Sequence, residues 1–342
     1  MSSKFSVIIA AAAVAFSTLV GRNAGAQTIN GAGATFPAPI YTKWFQAYSQ
    51  AHPNVKFNYQ PVGSGAGIAQ YKAGTVFFGA TDAPVPDADL ASMQPTIHIP
   101  TVAGSVVMAY NIKGIGSGLK LSGDVIADIY LGKISTWNDV RIVKENPNLP
   151  LPAEAITVVH RSDGSGTTYI YTNYLAAVSS EWKNKVGAGK SVSWPTGLGG
   201  NGNAGVAGLV RSSAGGIGYV ELAYAVQTKL NYGPVKNKSG NYVLASSAST
   251  TAAASVAANA LKKDLRVSIV NGPGANTYPI AGFTYLLIPK NAKDTASAAA
   301  LADFLKWAMG PGQGMAESLL YAPLPSEAVK INEAAIATIK VK

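Results

Sequence analysis

Arg161 and Asp163 stand two residues apart and run straight into Gly164, Ser165, Gly166 and Thr167, after which apolar residues recur every three or four positions to Leu175. A fixed cation, two hydroxyls and unhindered backbone at the start of a helix are groups that hold an anion. The first N–H groups of a helix have no intrahelical partner, and glycine lets a ligand approach them closely. Two more segments have this form. "GAGATFPAPIYTKWF" (31–45) sets Thr35 and Phe36 before a helix whose Pro37 and Pro39 suit a first turn, and "GSGAGIAQY" (63–71) sets Ser64 between glycines. One hydroxyl at a helix start is ordinarily only a cap, but three such starts in one chain are harder to read as caps alone.

The familiar phosphate and catalytic patterns do not account for these segments. A P-loop carries a lysine after its glycines, and neither Gly63 to Gly67 nor Gly164 to Thr167 is followed by one. "GLGGNGNAG" (197–205) matches G-x-G-x-x-G, yet no clear strand of a βαβ unit precedes it, so a dinucleotide is not expected. Ser165 lacks the first glycine of a nucleophile elbow in register. His52, His98 and His160 lie far apart without zinc-like spacing, and only His160, beside Arg161, is expected near the cradle. No cofactor and no metal are expected.

The elements that must position these groups alternate short strands with amphipathic helices, an α/β pattern. Residues 37–50 read as a helix, with Ile40, Trp44 and Tyr48 on one stripe widened by Tyr41 and Phe45. Val102 to Asn111, Ile156 to His160 and Phe283 to Ile288 read as buried strands, and the pattern from Gln70 to Phe78 fits either element. "NKSGN" (237–241) reads as a hairpin-like turn, Ser247 to Lys263 as an alanine-rich surface helix, and Thr295 to Met309 as a helix stopped by Gly310-Pro311. The 342 residues suggest two domains, and no Pro/Gly/Ser-rich linker separates them, so short crossovers must connect them.

Lys4, the apolar run from Phe5 to Val20 and Ala24-Gly25-Ala26 form a secretory leader with a cleavage signal, which places the mature start at Gln27. Losing Lys4 and Arg22 takes the net charge from +10 to +8. Export and the lack of any run of five basic residues argue against nucleic acid and favour a small anion. With no cysteine, the chain has neither disulfides nor an N-terminal cysteine to carry lipid.

At its three cradle segments the sequence resembles the periplasmic phosphate-binding proteins of high-affinity Pst-type phosphate ABC transporters. The matching blocks are "GAGATFPAPIYTKW", "VGSGAGIAQY", "GTVFFGATDAP", "DIYLGKISTW", "RSDGSGTT", "GGIGYVELAYA" and "FLKWAM", in order from residue 31 to 309. The resemblance implies a two-lobed periplasmic binding protein fold of type II, a Venus flytrap with two crossovers, near Val102 to Val106 and Thr277 to Ile280. Lobe I would comprise 27–103 and 278–342, and lobe II 104–277. It also implies a monomer in the periplasm that passes inorganic phosphate to transmembrane permease subunits.

By the same resemblance, phosphate would be held by Thr35, Phe36, Ser64, Asp82, Arg161, Ser165, Gly166 and Thr167, with Asp163 bracing the arginine. Two departures bear on this set. Gly65-Ala66 stands where another Ser and Gly are common, and Phe77 where an acid is common. Burying a dianion is costly unless nearly every oxygen gains a donor, which the Arg161 fork and the helix starts would supply. A carboxylate at Asp82 would accept the proton that phosphate still carries near neutral pH and repel sulfate, which has none. On the residues alone two other classes stay open: a phosphate-ester hydrolase using the same cradle, and an extracytoplasmic interaction protein that keeps only the fold.

Overall fold

The computed structural model describes residues 26–341, so the expected leader lies, apart from Ala26, outside the described residues. The chain opens with β1 (Gln27–Gly33), α1 (Ala38–Ala51), β2 (Val55–Gln60), α2 (Ser64–Lys72), β3 (Phe78–Thr81), α3 (Asp87–Leu90) and β4 (Thr96–Asn111). A second group follows: α4 (Gly123–Tyr130), α5 (Val140–Glu145), β5 (Thr157–Arg161), α6 (Gly166–Val178), α7 (Ser180–Lys185), β6 (Leu198–Gly200), α8 (Gly202–Ser212), β7 (Gly216–Glu221) and α9 (Leu222–Gln227). After β8 (Asn231–Tyr232), β9 (Val235–Lys236) and β10 (Tyr242–Val243), the chain closes with α10 (Ser247–Val256), α11 (Ala258–Leu261), β11 (Ala281–Pro289), α12 (Thr295–Met309) and α13 (Ser326–Ile336).

The strands run in the order β2-β1-β3-β11-β4-β7-β5-β6, with β8 also paired to β4. β1 is parallel to β2 and β3, β5 is parallel to β6 and β7, and β11 is antiparallel to both β3 and β4. The long β4 makes the fold two-lobed. It pairs with β11 from Thr96 to Ser105, then with β7 from Val106 to Asn111, so one strand serves two sheets and changes partner between Ser105 and Val106. Along the first stretch Pro100, which has no N–H to give, is accommodated by a bulge between Thr284 and Tyr285 that leaves Thr101 unpaired in the ladder.

Each lobe has an aromatic core. In the first, the apolar stripe of α1 buries Tyr41, Trp44, Phe45 and Tyr48 against Phe57, Phe78 and Phe304, with the Phe45 and Phe57 rings 4.9 Å apart. In the second, Tyr130, Tyr171 and Tyr219 cluster with Trp194, the Tyr171 and Tyr219 rings stacking at 4.3 Å. Such pairs add about 0.5–1.5 kcal/mol beyond the area they bury, and they fix the sheets from which the cradle segments emerge.

The hairpin at 237–241 is present, closed by the Asn237 N–H donating to Asn241 O at 2.8 Å, and α12 spans the expected residues. The ambiguous stretch resolves into the end of α2, a turn and the start of β3. One reading needs correction. Ser247 to Lys263 is not a single surface helix but α10 and α11, and Thr250, Ala253 and Ala254 are buried. The small side chains that suggested an exposed helix instead let α10 lie close against β4, where the Thr250 and Ser105 hydroxyls meet at 2.6 Å.

Candidate functional site

The starts of α1, α2, α6 and α8 converge where the two sheets meet. The approach is close enough to require glycine. Gly63, at φ +95°, precedes α2, and a Cβ there would strike Asp163 Oδ2. Gly65 donates its N–H to Gly164 O at 2.7 Å, joining the entrances of α2 and α6 backbone to backbone. The hydroxyl-bearing residue that is common at this point would crowd Gly164, so the departure at Gly65 serves lobe contact.

Arg161 ends β5, buried, with its guanidinium set in a fixed fork. Nε donates to Asp163 Oδ1 at 2.7 Å, Nη2 to Asp163 Oδ2 at 2.5 Å, and Nη1 to Thr167 Oγ1 at 3.3 Å. Asp163 also accepts the Gly202 N–H at 3.0 Å. Burial alone would raise the Asp163 carboxyl, but the Arg161 charge and these hydrogen bonds hold it below its ordinary value. Strand alternation turns His160 the other way. Its ring stacks on Trp194 at 4.8 Å and its Nδ1 meets Arg161 O, so it lies next to the site in sequence without facing it. His98 is likewise structural, accepting the Val85 N–H at Nε2, and burial pushes its pKa down to about 4.

Ser64 and Asp82 form the opposing wall. Ser64 Oγ accepts the Gly166 N–H at 3.1 Å and the Asp82 N–H at 3.3 Å, spanning both lobes. Asp82 is buried after β3, and its Oδ1 accepts the Thr284 hydroxyl at 2.7 Å. Its Oδ2 has no partner and lies where a Cβ on Gly166 would collide with it. Burial pushes the Asp82 carboxyl up to about 7, against the lowering effects of the Thr284 hydroxyl and the Arg161 charge.

Thr35 and Phe36 complete the set. The Thr35 carbonyl accepts the Tyr224 hydroxyl at 2.6 Å and the Phe36 carbonyl that of Tyr321 at 2.7 Å, so the turn before α1 is held from both sides. The Phe36 ring lies against Gly104, where a Cβ would come within 2.5 Å of Cζ. Ser165 caps α6, its Oγ accepting the Thr168 N–H at 3.0 Å. Chemically the arrangement offers many donors, one charged fork and one free carboxylate oxygen, a combination suited to a tetrahedral oxyanion that still carries a proton.

A family model of the PBP superfamily domain matches residues 20–311. The phosphate-binding protein PstS of Xylella fastidiosa (strain Temecula1) is 48% identical over 307 residues, covering 90% of this chain and 84% of its own. That of Pasteurella multocida is 46% identical over 319 residues, covering 93% and 92%. The chain belongs to the PBP superfamily, among the PstS phosphate-binding proteins. Among solved structures, a high affinity periplasmic phosphate-binding protein (PfluDING) bound with phosphate superposes with a TM-score of 0.70 at 21% identity, covering 90% of this chain and 93% of that one. A phosphate-binding protein from Stenotrophomonas maltophilia does so at 0.66 and 20%, covering 90% and 94%, and both likenesses bear on the fold alone.

In this PstS-type chain the residues singled out from sequence fall into one neighbourhood: Ser64 beside Asp82 and Gly166, and Thr167 on Arg161 next to Asp163. Phe77, the second departure, packs half-buried on the first lobe's core. Sequence reasoning missed Thr284, Asn203 and Glu221. Asn203 lies inside the G-x-G-x-x-G match from Gly200 to Gly205, which starts at the end of a strand, the three-residue β6. That strand is two-thirds glycine and gave no hydrophobic signal. The loop holds no room for a dinucleotide reading, since its Gly202 and Asn203 N–H groups are taken by Asp163 and Thr35. Glu221, at the end of β7, is wholly buried with Oε1 unpartnered, and burial drives its carboxyl well above the ordinary range.

Proposed function

We propose that this chain binds inorganic phosphate in its interlobe cleft, in the periplasm, and delivers it as a monomer to the transmembrane permease subunits of a phosphate ABC transporter. Thr35, Phe36, Ser64, Asp82, Arg161, Ser165, Gly166 and Thr167 would contact the ligand, and Asp163 would hold Arg161. The observation that carries the reading is Asp82: a buried carboxyl with one oxygen unpartnered, facing a donor-rich wall that contains Arg161. In its ionised form that oxygen would repel an anion with no proton, whereas phosphate can donate to it. Membership of the PstS group, whose relatives carry the name phosphate-binding protein, supports the same ligand.

Residues 27–103 and 278–342 would form lobe I and 104–277 lobe II, hinged near 102–106 and 277–280. The change of partner along β4 at Ser105 and Val106 supports the first hinge. Binding rather than turnover is the role we assign, the bound anion being released unchanged to the permease. Calorimetric titration of ligand-stripped protein with phosphate, sulfate and arsenate tests the reading. Phosphate heat without sulfate heat is expected, and equal binding of the two anions would overturn it. A chromogenic phosphate monoester incubated with and without divalent metal should release nothing.

A further inference from the structure

Asn203 sits in the first turn of α8, fully buried, with every polar atom engaged. Its Oδ1 accepts the Glu221 N–H at 2.9 Å, which fixes the amide's orientation because a backbone N–H can only donate. Nδ2 therefore faces the two threonines, donating to Thr35 Oγ1 at 2.9 Å and to Thr167 Oγ1 at 3.1 Å. Each threonine oxygen receives a second donor, the Asn203 N–H at 3.2 Å on Thr35 and Arg161 Nη1 at 3.3 Å on Thr167.

A threonine hydroxyl has two acceptor lone pairs and one hydrogen. With both lone pairs of Thr35 and of Thr167 occupied, each O–H can act only as a donor, and neither donates to any protein group among the described residues. We propose that Asn203 is a positioning residue that sets these two hydroxyls as obligate donors to the bound anion. It spans the turn before α1 and the start of α6, so it does this only when the two lobes are together. The proposal rests on the phosphate reading above and extends it. Asn203 need not touch the ligand.

The chemistry predicts an unusual ranking of substitutions. Asn203→Ala frees the hydroxyls to rotate and should weaken phosphate binding about tenfold, the loss of roughly one or two neutral hydrogen bonds. Asn203→Asp keeps the shape but replaces the Nδ2 donor with an acceptor, which draws both O–H groups away from the ligand and adds a negative charge. It should lose about a hundredfold or more.

The deciding measurement is a cycle with Thr35→Val and Thr167→Val, followed by calorimetry on stripped protein. If Asn203 works through the hydroxyls, Asn203→Ala should cost about twofold or less in the T35V/T167V background. A purely structural asparagine would cost the same in both backgrounds, and that result overturns the proposal while leaving phosphate binding intact. Wild-type affinity in the Asn203→Asp protein would overturn it as well, through an isosteric variant that does not depend on the alanine protein folding. A wild-type chain that binds no phosphate would overturn the phosphate reading first and this proposal with it.

Discussion

The two walls of the cleft handle charge in opposite ways. On the wall built from β5 and α6, the Arg161 guanidinium is matched at once by Asp163 through two hydrogen bonds, with the carboxyl held below its ordinary value. On the wall built from β3 and β11, Asp82 has only the Thr284 hydroxyl and is pushed up to about 7. One wall thus holds a satisfied ion pair and the other a carboxyl poised between its two states. A buried charge is tolerated when paired, so on the proposed phosphate reading the paired wall would provide strength and the unpaired one discrimination.

Breaking the paired wall should have the largest effect. Arg161→Ala removes the fork and leaves the half-buried Asp163 without its cation, so phosphate affinity should fall by about a hundredfold or more and the melting temperature should drop as well. Calorimetry and a thermal melt check both. Arg161→Lys, which keeps the charge without the fork, should fall between. Affinity retained in Arg161→Ala would mean that the guanidinium serves the lobe interface alone.

The unpaired wall should respond in selectivity more than in affinity. Asp82→Asn is expected to cost phosphate about tenfold while sulfate binding strengthens, because an amide replaces the repelling oxygen. Titrations with both anions from pH 6 to 8 measure the ratio, and an unchanged ratio would remove Asp82 from discrimination. Ser64→Ala, which loses one neutral hydroxyl, should weaken phosphate by about three- to tenfold, well short of Arg161→Ala.

The smallest effect is a slope with pH. Because the native Asp82 carboxyl titrates near 7 and its unfolded counterpart near 3.8, the native state binds more protons than the unfolded chain between those values. Stability from this group is therefore greatest below pH 4, declines as pH rises to 7, and stays low above. Glu221 acts in the same direction. Stripped protein should melt at a lower temperature at pH 8 than at pH 5, and Asp82→Asn should flatten part of that difference. A slope unchanged by the substitution would show that Asp82 is not the buried acid responsible.

The sequence by itself determined what is local. Arg161 and Asp163 are two residues apart at a strand end, so their pairing needs no distant partner. The helix starts announce themselves through glycine, proline and hydroxyl residues, because capping and close approach are decided within one turn. The stripe of α1 and the stop after Met309 follow from periodicity and a breaker in the same way. The family blocks placed these segments in one protein type, since they run through nearly the whole length.

Only the tertiary structure decided which groups complete the cleft. Thr284 reaches Asp82 across 202 positions and Asn203 reaches Thr35 across 168. Nothing in the composition near any of these residues signals such a contact, because the partner is chosen by strand order. The antiparallel β11 beside β3 brings in Thr284, and the short β6 beside β5 launches α8 toward Thr35 and Thr167. Burial, too, is a property of the folded chain. Asp82 in isolation is an ordinary turn aspartate, and its carboxyl is pushed up to about 7 only when two sheets exclude water from it and leave one of its oxygens without a donor.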